Sequence, residues 1–279
     1  MPAYLRPISQ SEALAALAQG KLTVLAGGTD YYPSKVGQAL AEDILDISAI
    51  DSLRGIRDEG SHWRIGATST WSDIAAAELP PLFDGLKAAA REIGGVQIQN
   101  AGTLAGNLCN ASPAADGVPP LLALDARVEI ADTAGSTSVA LADFIVGNRK
   151  TLLRPHQLLT AILIPKPAHA ARSHFVKLGA RKYLVVSIVM VAATLEVDAG
   201  RVRSARIAVG AASAVAQRLP LLEAALIGQP CDASLGEHAR PEHLSPLTPI
   251  DDVRASREYR LDAGFSLVRR VLSELGARA

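Results

Sequence analysis

Thr103-Leu104-Ala105-Gly106-Asn107-Leu108-Cys109-Asn110-Ala111-Ser112-Pro113-Ala114-Ala115-Asp116 is the stretch on which this chain turns, together with an earlier Ala26-Gly27-Gly28-Thr29-Asp30. Each joins small residues to hydroxyl, amide or carboxylate side chains beside an apolar segment. Small residues let a backbone approach a ligand and aim its N–H groups at it, while Thr, Asn and Asp add directed hydrogen bonds. In the later run the polar residues sit among Leu104, Leu108, Ala111 and Ala114, which predicts a buried or half-buried loop whose polar groups need partners. The two runs lie about seventy residues apart, so they predict one extended ligand held from two sides.

The earlier run follows a short apolar segment, Leu22 to Ala26, that reads as a strand. A strand feeding Gly27-Gly28 can present consecutive amides to a diphosphate, although two glycines alone also fit a plain β-turn. Neither a Gly-x-x-x-x-Gly-Lys nor a Gly-x-Gly-x-x-Gly pattern occurs, so P-loop and Rossmann sites are unsupported.

Composition narrows the function classes. The 279 residues carry 28 basic and 28 acidic side chains, a net charge of zero that lacks the electrostatic footprint of a nucleic-acid binder. The longest apolar stretch, Tyr183 to Leu195, is too short to span a bilayer, and the N-terminus has no secretory pattern. A soluble, cytoplasmic protein is expected. Two cysteines, Cys109 and Cys231, are too few for an iron–sulfur cluster held within the chain. Low charge density with a mean hydropathy of +0.19 fits a subunit that buries surface against partners.

Along the chain, Ser9 to Ala18 reads as a capped helix, and Leu22–Ala26 and Ile44–Ile47 as strands, which makes a small β-α-β opening. A strand is predicted at Trp63–Ala67. A helix capped near Thr70 or Ser72 follows, then a second over Leu82–Ile93 that Gly94-Gly95 breaks. Pro119–Leu124 reads as helical, Arg127–Ala131 and Ala161–Pro165 as strands. Tyr183–Val197 and Val202–Val209 read as a long hairpin about Asp198-Ala199-Gly200, with helices over Arg218–Ile227 and Ser256–Leu275.

With Arg64-Ile65-Gly66-Ala67 and Leu121-Leu122-Ala123-Leu124-Asp125-Ala126, the two small-residue runs resemble the FAD-binding medium subunit of molybdenum hydroxylases, the group of xanthine dehydrogenases, aldehyde oxidases and carbon monoxide dehydrogenases. Arg254 to Arg260 and the hairpin around Val202 to Gly210 resemble that family's C-terminal domain. The resemblance implies an α+β chain: a PCMH/VAO-type FAD-binding domain over residues 1–167, in subdomains of about 1–55 and 56–167, then a smaller α+β domain of the CO dehydrogenase flavoprotein type over 168–279.

It further implies that Val24, Leu25, Ala26, Gly27, Gly28, Thr29, Asp30 and Tyr31 wrap the FAD diphosphate. Thr103, Leu104, Ala105, Gly106 and Asn107, with Asn110 and Asp116, are implied to hold phosphate and sugar groups. Ile93 and Val185 match positions where the family sets apolar residues against the isoalloxazine, though both also fit ordinary core packing. Lys177, Arg181 and Lys182 fall in a segment near the flavin, where a cation would stabilise the reduced ring; a solvated basic patch is the other reading.

The partners implied are a molybdopterin-binding large subunit and a small subunit with 2Fe–2S clusters, in a dimer of heterotrimers. Electrons would pass from the clusters through FAD to NAD+, O2 or another acceptor, and no side chain here is expected to be catalytic. Two rivals remain: a self-contained FAD-dependent oxidoreductase, and a flavin-free scaffold of the same fold. The chain departs from the family at Gln99, where a basic residue is usual, and at Tyr31-Tyr32-Pro33, which replaces a more aliphatic run. The histidine pairs His169/His174 and His238/His243 are five apart, poor spacing for metal ligands on one helix face.

Overall fold

Ser9 accepts the Glu12 amide at 3.3 Å, and Glu12 in turn accepts the Ile8 amide at 3.2 Å, so the chain can enter a helix with its first donors satisfied. In the computed structural model, which describes residues 2–39 and 41–278, β1 (Tyr4–Leu5) leads into that helix, α1 (Gln10–Gln19), which buries Ala13, Leu14 and Leu17 along one face. β2 (Thr23–Leu25), α2 (Tyr31–Ser34) and β3 (Ile44–Asp46) follow. The three strands form a parallel sheet in the order β1-β3-β2, the predicted β-α-β opening with an added edge strand. Leu45, Ile47, Ile50 and Leu53 complete its core against α1, joined by Ala131 and Leu158 from the next sheet.

That second sheet is antiparallel, in the order β4-β5-β10-β6-β7. It is built from β4 (Ile56–Asp58), β5 (His62–Gly66), β6 (Arg127–Asp132), β7 (Gly135–Ala140) and β10 (Leu158–Pro165). Between β5 and β6 the chain forms α3 (Trp71–Ala76), α4 (Asp84–Glu92), α5 (Val96–Ala101), α6 (Leu104–Asn110) and α7 (Val118–Ala123). Between β7 and β10 lie α8 (Leu141–Phe144) and the small hairpin β8 (Ile145–Gly147) and β9 (Lys150–Thr151). Trp71, Phe83, Leu86, Leu104, Leu108 and Leu121 pack with Ile65 and Ile162 of the sheet to form the largest core.

Thr70 caps α3 as predicted, in a reciprocal capping box with Asp73. The Thr103–Asp116 run is not the loop the sequence suggested: it opens with α6. Thr103 accepts the Gly106 amide at 3.0 Å, and Leu104, Ala105 and Leu108 bury one helical face. Gly106, Asn107 and Asn110 are weak helix formers, and they masked this short period. The helix stops at Ala111 in the left-handed region, φ 48°.

The last sheet, β11-β12-β13-β14, comprises β11 (Ala170–Leu178), β12 (Val189–Asp198), β13 (Arg201–Gly210) and β14 (Gln217–Arg218). α9 (Pro220–Leu226) and α10 (Arg257–Gly276) cover one face. Along β12, Val189, Val191, Ala193 and Leu195 turn to these helices, while Met190 and Ala192 meet Phe175 and the alanines Ala89 of α4 and Ala123 of α7. Burial on both faces explains the unbroken apolar run. The hairpin is shorter than predicted, because Tyr183–Ile188 is irregular and exposed at Tyr183, Leu184 and Val186, with Leu184 at φ 52°. Arg218 belongs to a strand rather than to the helix after it. Among the described residues no helix is long and apolar enough to cross a membrane.

Candidate functional site

The Gly27–Tyr31 turn leaves β2 with its backbone donors open. Among the described residues none of the amides of Gly27, Gly28, Thr29, Asp30 and Tyr31 has a hydrogen-bond acceptor, the next bonded one being Tyr32 to the Gly28 carbonyl at 3.1 Å. Gly28 adopts φ 66°, a left-handed conformation that lets successive N–H groups converge. A Cβ at Gly27 would lie 1.9 Å from the Ala101 carbonyl oxygen, so only glycine lets the turn rest on the end of α5. Val24 is exposed on β2, Leu25 is buried beneath it, and Ala26 and Thr29 are half-buried. The Tyr31 hydroxyl donates to Glu42, and its ring meets Tyr32 edge-on at 5.4 Å.

The surface that supports this turn is stitched to the start of α3. Trp71 N–H donates to the Gly102 carbonyl at 3.1 Å, and Leu104 N–H to the Ser69 carbonyl at 3.1 Å. With Thr103 capping Gly106, the Ala105 amide at the head of α6 has no acceptor among the described residues. Thr103, Leu104 and Ala105 are buried, Gly106 is exposed, and the Asn107 side-chain oxygen accepts the Gly117 amide at 3.2 Å. The structure thus sets the first run against Ala101 and Gly102, directly ahead of the second, and both runs still carry open donors.

Arg149, which the sequence reading passed over, ties the two runs by their side chains. From the tip of the β8–β9 hairpin it donates to Asn110 Oδ1 at 2.6 Å and Asp30 Oδ2 at 3.1 Å, and its own amide donates to the Ala111 carbonyl at 2.8 Å. Its φ of 54° marks a tight turn whose only sequence signal is Gly147-Asn148 before it. Nothing in the spacing of the chain placed that hairpin here.

Asp116 is buried between the two halves of the molecule. It accepts Lys177 Nζ at 2.8 Å on one oxygen and Ser187 Oγ at 2.5 Å on the other. Burial pushes its carboxyl above the usual range, and Lys177 and Ser187 offset part of that rise. The Lys177 side chain is 6% exposed and ion-paired, so it is no part of the solvated basic patch that one reading of the sequence allowed. Arg181 and Lys182 remain exposed. Ile93 and Val185 are both half-buried, Ile93 directly after α4 and Val185 in the irregular segment before β12. Gln99 donates to the Arg91 and Ile93 carbonyls at 3.2 and 3.1 Å, closing the exposed end of α4. Cys109 is exposed on α6 and Cys231 buried, and no metal-binding group of three or more residues occurs among the described residues.

Open backbone donors, directed hydroxyl and amide groups and one exposed guanidinium suit an anionic, extended ligand such as a dinucleotide. The family model described as the FAD binding domain in molybdopterin dehydrogenase matches residues 1–167, and the CO dehydrogenase flavoprotein C-terminal domain matches residues 174–275. The putative xanthine dehydrogenase FAD-binding subunit of Escherichia coli is 31% identical over 287 residues, covering 99% of this chain and 96% of that protein. The carbon monoxide dehydrogenase medium chain of Hydrogenophaga pseudoflava is 29% identical, covering 99% of this chain and 97% of that one. Reconstituted CO dehydrogenase from Oligotropha carboxidovorans superposes on the whole chain with a TM-score of 0.91 at 28% identity, covering 99% of its matched chain. With both halves matched in order and the same fold throughout, the chain belongs to the FAD-binding medium subunits of the molybdenum hydroxylases, an oxidoreductase family that includes the xanthine and CO dehydrogenases.

Proposed function

We propose that the chain is the electron-transfer subunit of a molybdenum hydroxylase assembly, working with a molybdopterin-binding large subunit and a small subunit that carries 2Fe–2S clusters. FAD held here would supply the exchange of electrons between those clusters and a terminal acceptor, NAD+ or O2. The observation that carries the reading is the row of amides from Gly27 to Tyr31, unpartnered among the described residues and set against the end of α5 and Gly102, which leads into α6. Such groups are stable next to solvent, and they become hydrogen-bonded when an anion settles on them.

In this reading the Gly27–Tyr31 amides take the FAD diphosphate, and Val24, Leu25 and Ala26 set the turn's height above the sheet. Thr103, Leu104, Ala105, Gly106 and Asn107 form the opposite wall. Arg149 turns from Asp30 and Asn110 toward the added negative charge. Ile93 and Val185 bound the ring, and Asp116 orders the wall between them. No side chain acts as acid or base on the hydroxylated substrate, whose pocket belongs to the large subunit.

Purification of the native assembly tests this. The expected result is a yellow complex with one FAD per copy of this chain, co-purifying with a molybdenum-containing and an iron–sulfur chain. A colourless assembly that takes up no added FAD would overturn it.

A further inference from the structure

Lys177 does more than neutralise a buried acid. All of its donors are used: Asp116 Oδ2 at 2.8 Å, the Glu92 carbonyl at 3.3 Å and the Val185 carbonyl at 3.3 Å. Glu92 is the last residue of α4, so its carbonyl is one that the helix leaves unpaired, and Ile93 follows it directly. Val185 lies in the irregular 179–188 segment, where Ala180 to Leu184 and Val186 are exposed and Leu184 holds φ 52°. One ammonium group therefore fixes the backbone beside both apolar residues assigned above to the flavin ring. The second Asp116 oxygen holds the far end of the same segment through Ser187 at 2.5 Å.

We propose that Lys177, Asp116 and Ser187 form a two-armed latch that positions the 179–188 segment against the end of α4, setting the gap between Val185 and Ile93. The latch orders the middle of this wall, where other tertiary bonds are few; the far end is held also by Arg260 of α10, which donates to the Ile188 carbonyl. Arg181 donates to the Leu184 carbonyl within the segment itself, and Ile188 N–H returns to the Leu178 carbonyl at 2.7 Å. Val185 packs over Gly179, where a Cβ would come within 2.4 Å of the valine side chain. Lys177 and Ser187 are positioning residues, and their bearing on the flavin rests on the function proposed above.

The test compares the full chain with Lys177→Met and Ser187→Ala, by the initial rate of tryptic cleavage after the exposed Arg181 and Lys182 without flavin and by visible absorption after FAD is added. In Lys177→Met, cleavage there should quicken roughly tenfold, the effect of losing one charged hydrogen-bonding group. Ser187→Ala should quicken it roughly threefold, because only one arm is cut. With FAD bound, Lys177→Met should lose the resolved shoulder of the visible band, a sign of a ring in a looser wall. Unchanged cleavage after Arg181 and Lys182 in either variant, or faster cleavage spread evenly over the chain, would overturn the latch. If Lys177→Met does not fold, Ser187→Ala decides. If the unmutated chain takes no FAD, the proposed function fails while the cleavage rates still decide the latch.

Discussion

Two seams hold this molecule together, and they are built in opposite ways. Where β11, β12 and β13 meet α4 and α7, side chains close the seam: Phe175, Met190 and Ala192 lie against Ala89 and Ala123. Ser173 accepts the Gly85 amide and donates to the Leu82 carbonyl. At the edge, Arg206 pairs with Asp125 and Glu196, and Arg218 pairs with Asp125 and Glu223. Where the Gly27–Tyr31 turn meets the end of α5, the contact is largely backbone on backbone, the side-chain hydrogen bonds that reach α6 come from the exposed Arg149, and among the described residues a row of amides has no partner. The first seam is closed by its own side chains, with the buried Thr194 hydroxyl alone left unpartnered there among the described residues. The second keeps its hydrogen-bonding capacity open, as a surface that receives a ligand must.

The closed seam should yield the largest effect. Phe175→Ala removes a buried ring among small residues and should cost about 3–5 kcal/mol, read as a lower urea midpoint. Flavin stoichiometry in the protein that remains folded should stay at the unmutated value. A cost below about 1 kcal/mol would mean that this layer is not what joins the halves.

At the open seam, Gly27→Ala forces a methyl group onto the Ala101 carbonyl. It should cost about 1–3 kcal/mol in stability and, unlike Phe175→Ala, lower FAD affinity by a hundredfold or so, measured by flavin fluorescence titration. Undiminished affinity would remove this turn from the site.

Acid sharpens the contrast from the closed side. Arg260, buried on α10, donates to the Ile188 and Ala211 carbonyls and to Asp252 at 2.7 Å. Burial alone would raise the Asp252 carboxyl, but hydrogen bonds from Arg254 and the Arg260 charge hold it down at about 2. A folded-state value below the unfolded one means that its stabilisation is complete above about pH 4 and is lost as pH falls toward about 2. Acid titration of unfolding should therefore show about 1–2 kcal/mol of loss across that window, absent in Asp252→Asn.

The smallest effect is expected at Arg149→Ala. The ion pair is exposed, so stability should change by about 0–1 kcal/mol. FAD affinity should fall by roughly tenfold in low salt and by less in high salt, because the lost charge is screened. A salt-independent loss would mean that Arg149 acts by shape alone.

Elements with strong periodicity were legible in the sequence. Ser9 and Thr70 announce α1 and α3, and the buried run at Val189–Leu195 announces β12, because cap chemistry and two-sided burial leave local marks. β7 was missed because its Gly-Ser-Thr-Ser-Val-Ala sequence is an exposed edge with little apolar content. β11 was missed because its alternation is interrupted by charged residues whose partners lie far along the chain, Lys177 with Asp116 among them. α6 carries a loop's signature in the sequence because its glycine and asparagines outweigh three buried positions.

The sequence alone determined the family, the α+β class and the two small-residue runs, since these rest on residue types and their order along the chain. Only the tertiary structure decided that Gly27 of the first run packs on Ala101, just ahead of the second, that Arg149 bridges the two runs, and that Lys177 is buried against Asp116. The physical reason is distance along the chain: each of these contacts joins residues dozens of positions apart, and a pairing of that kind leaves no period, cap or turn for local inspection to find.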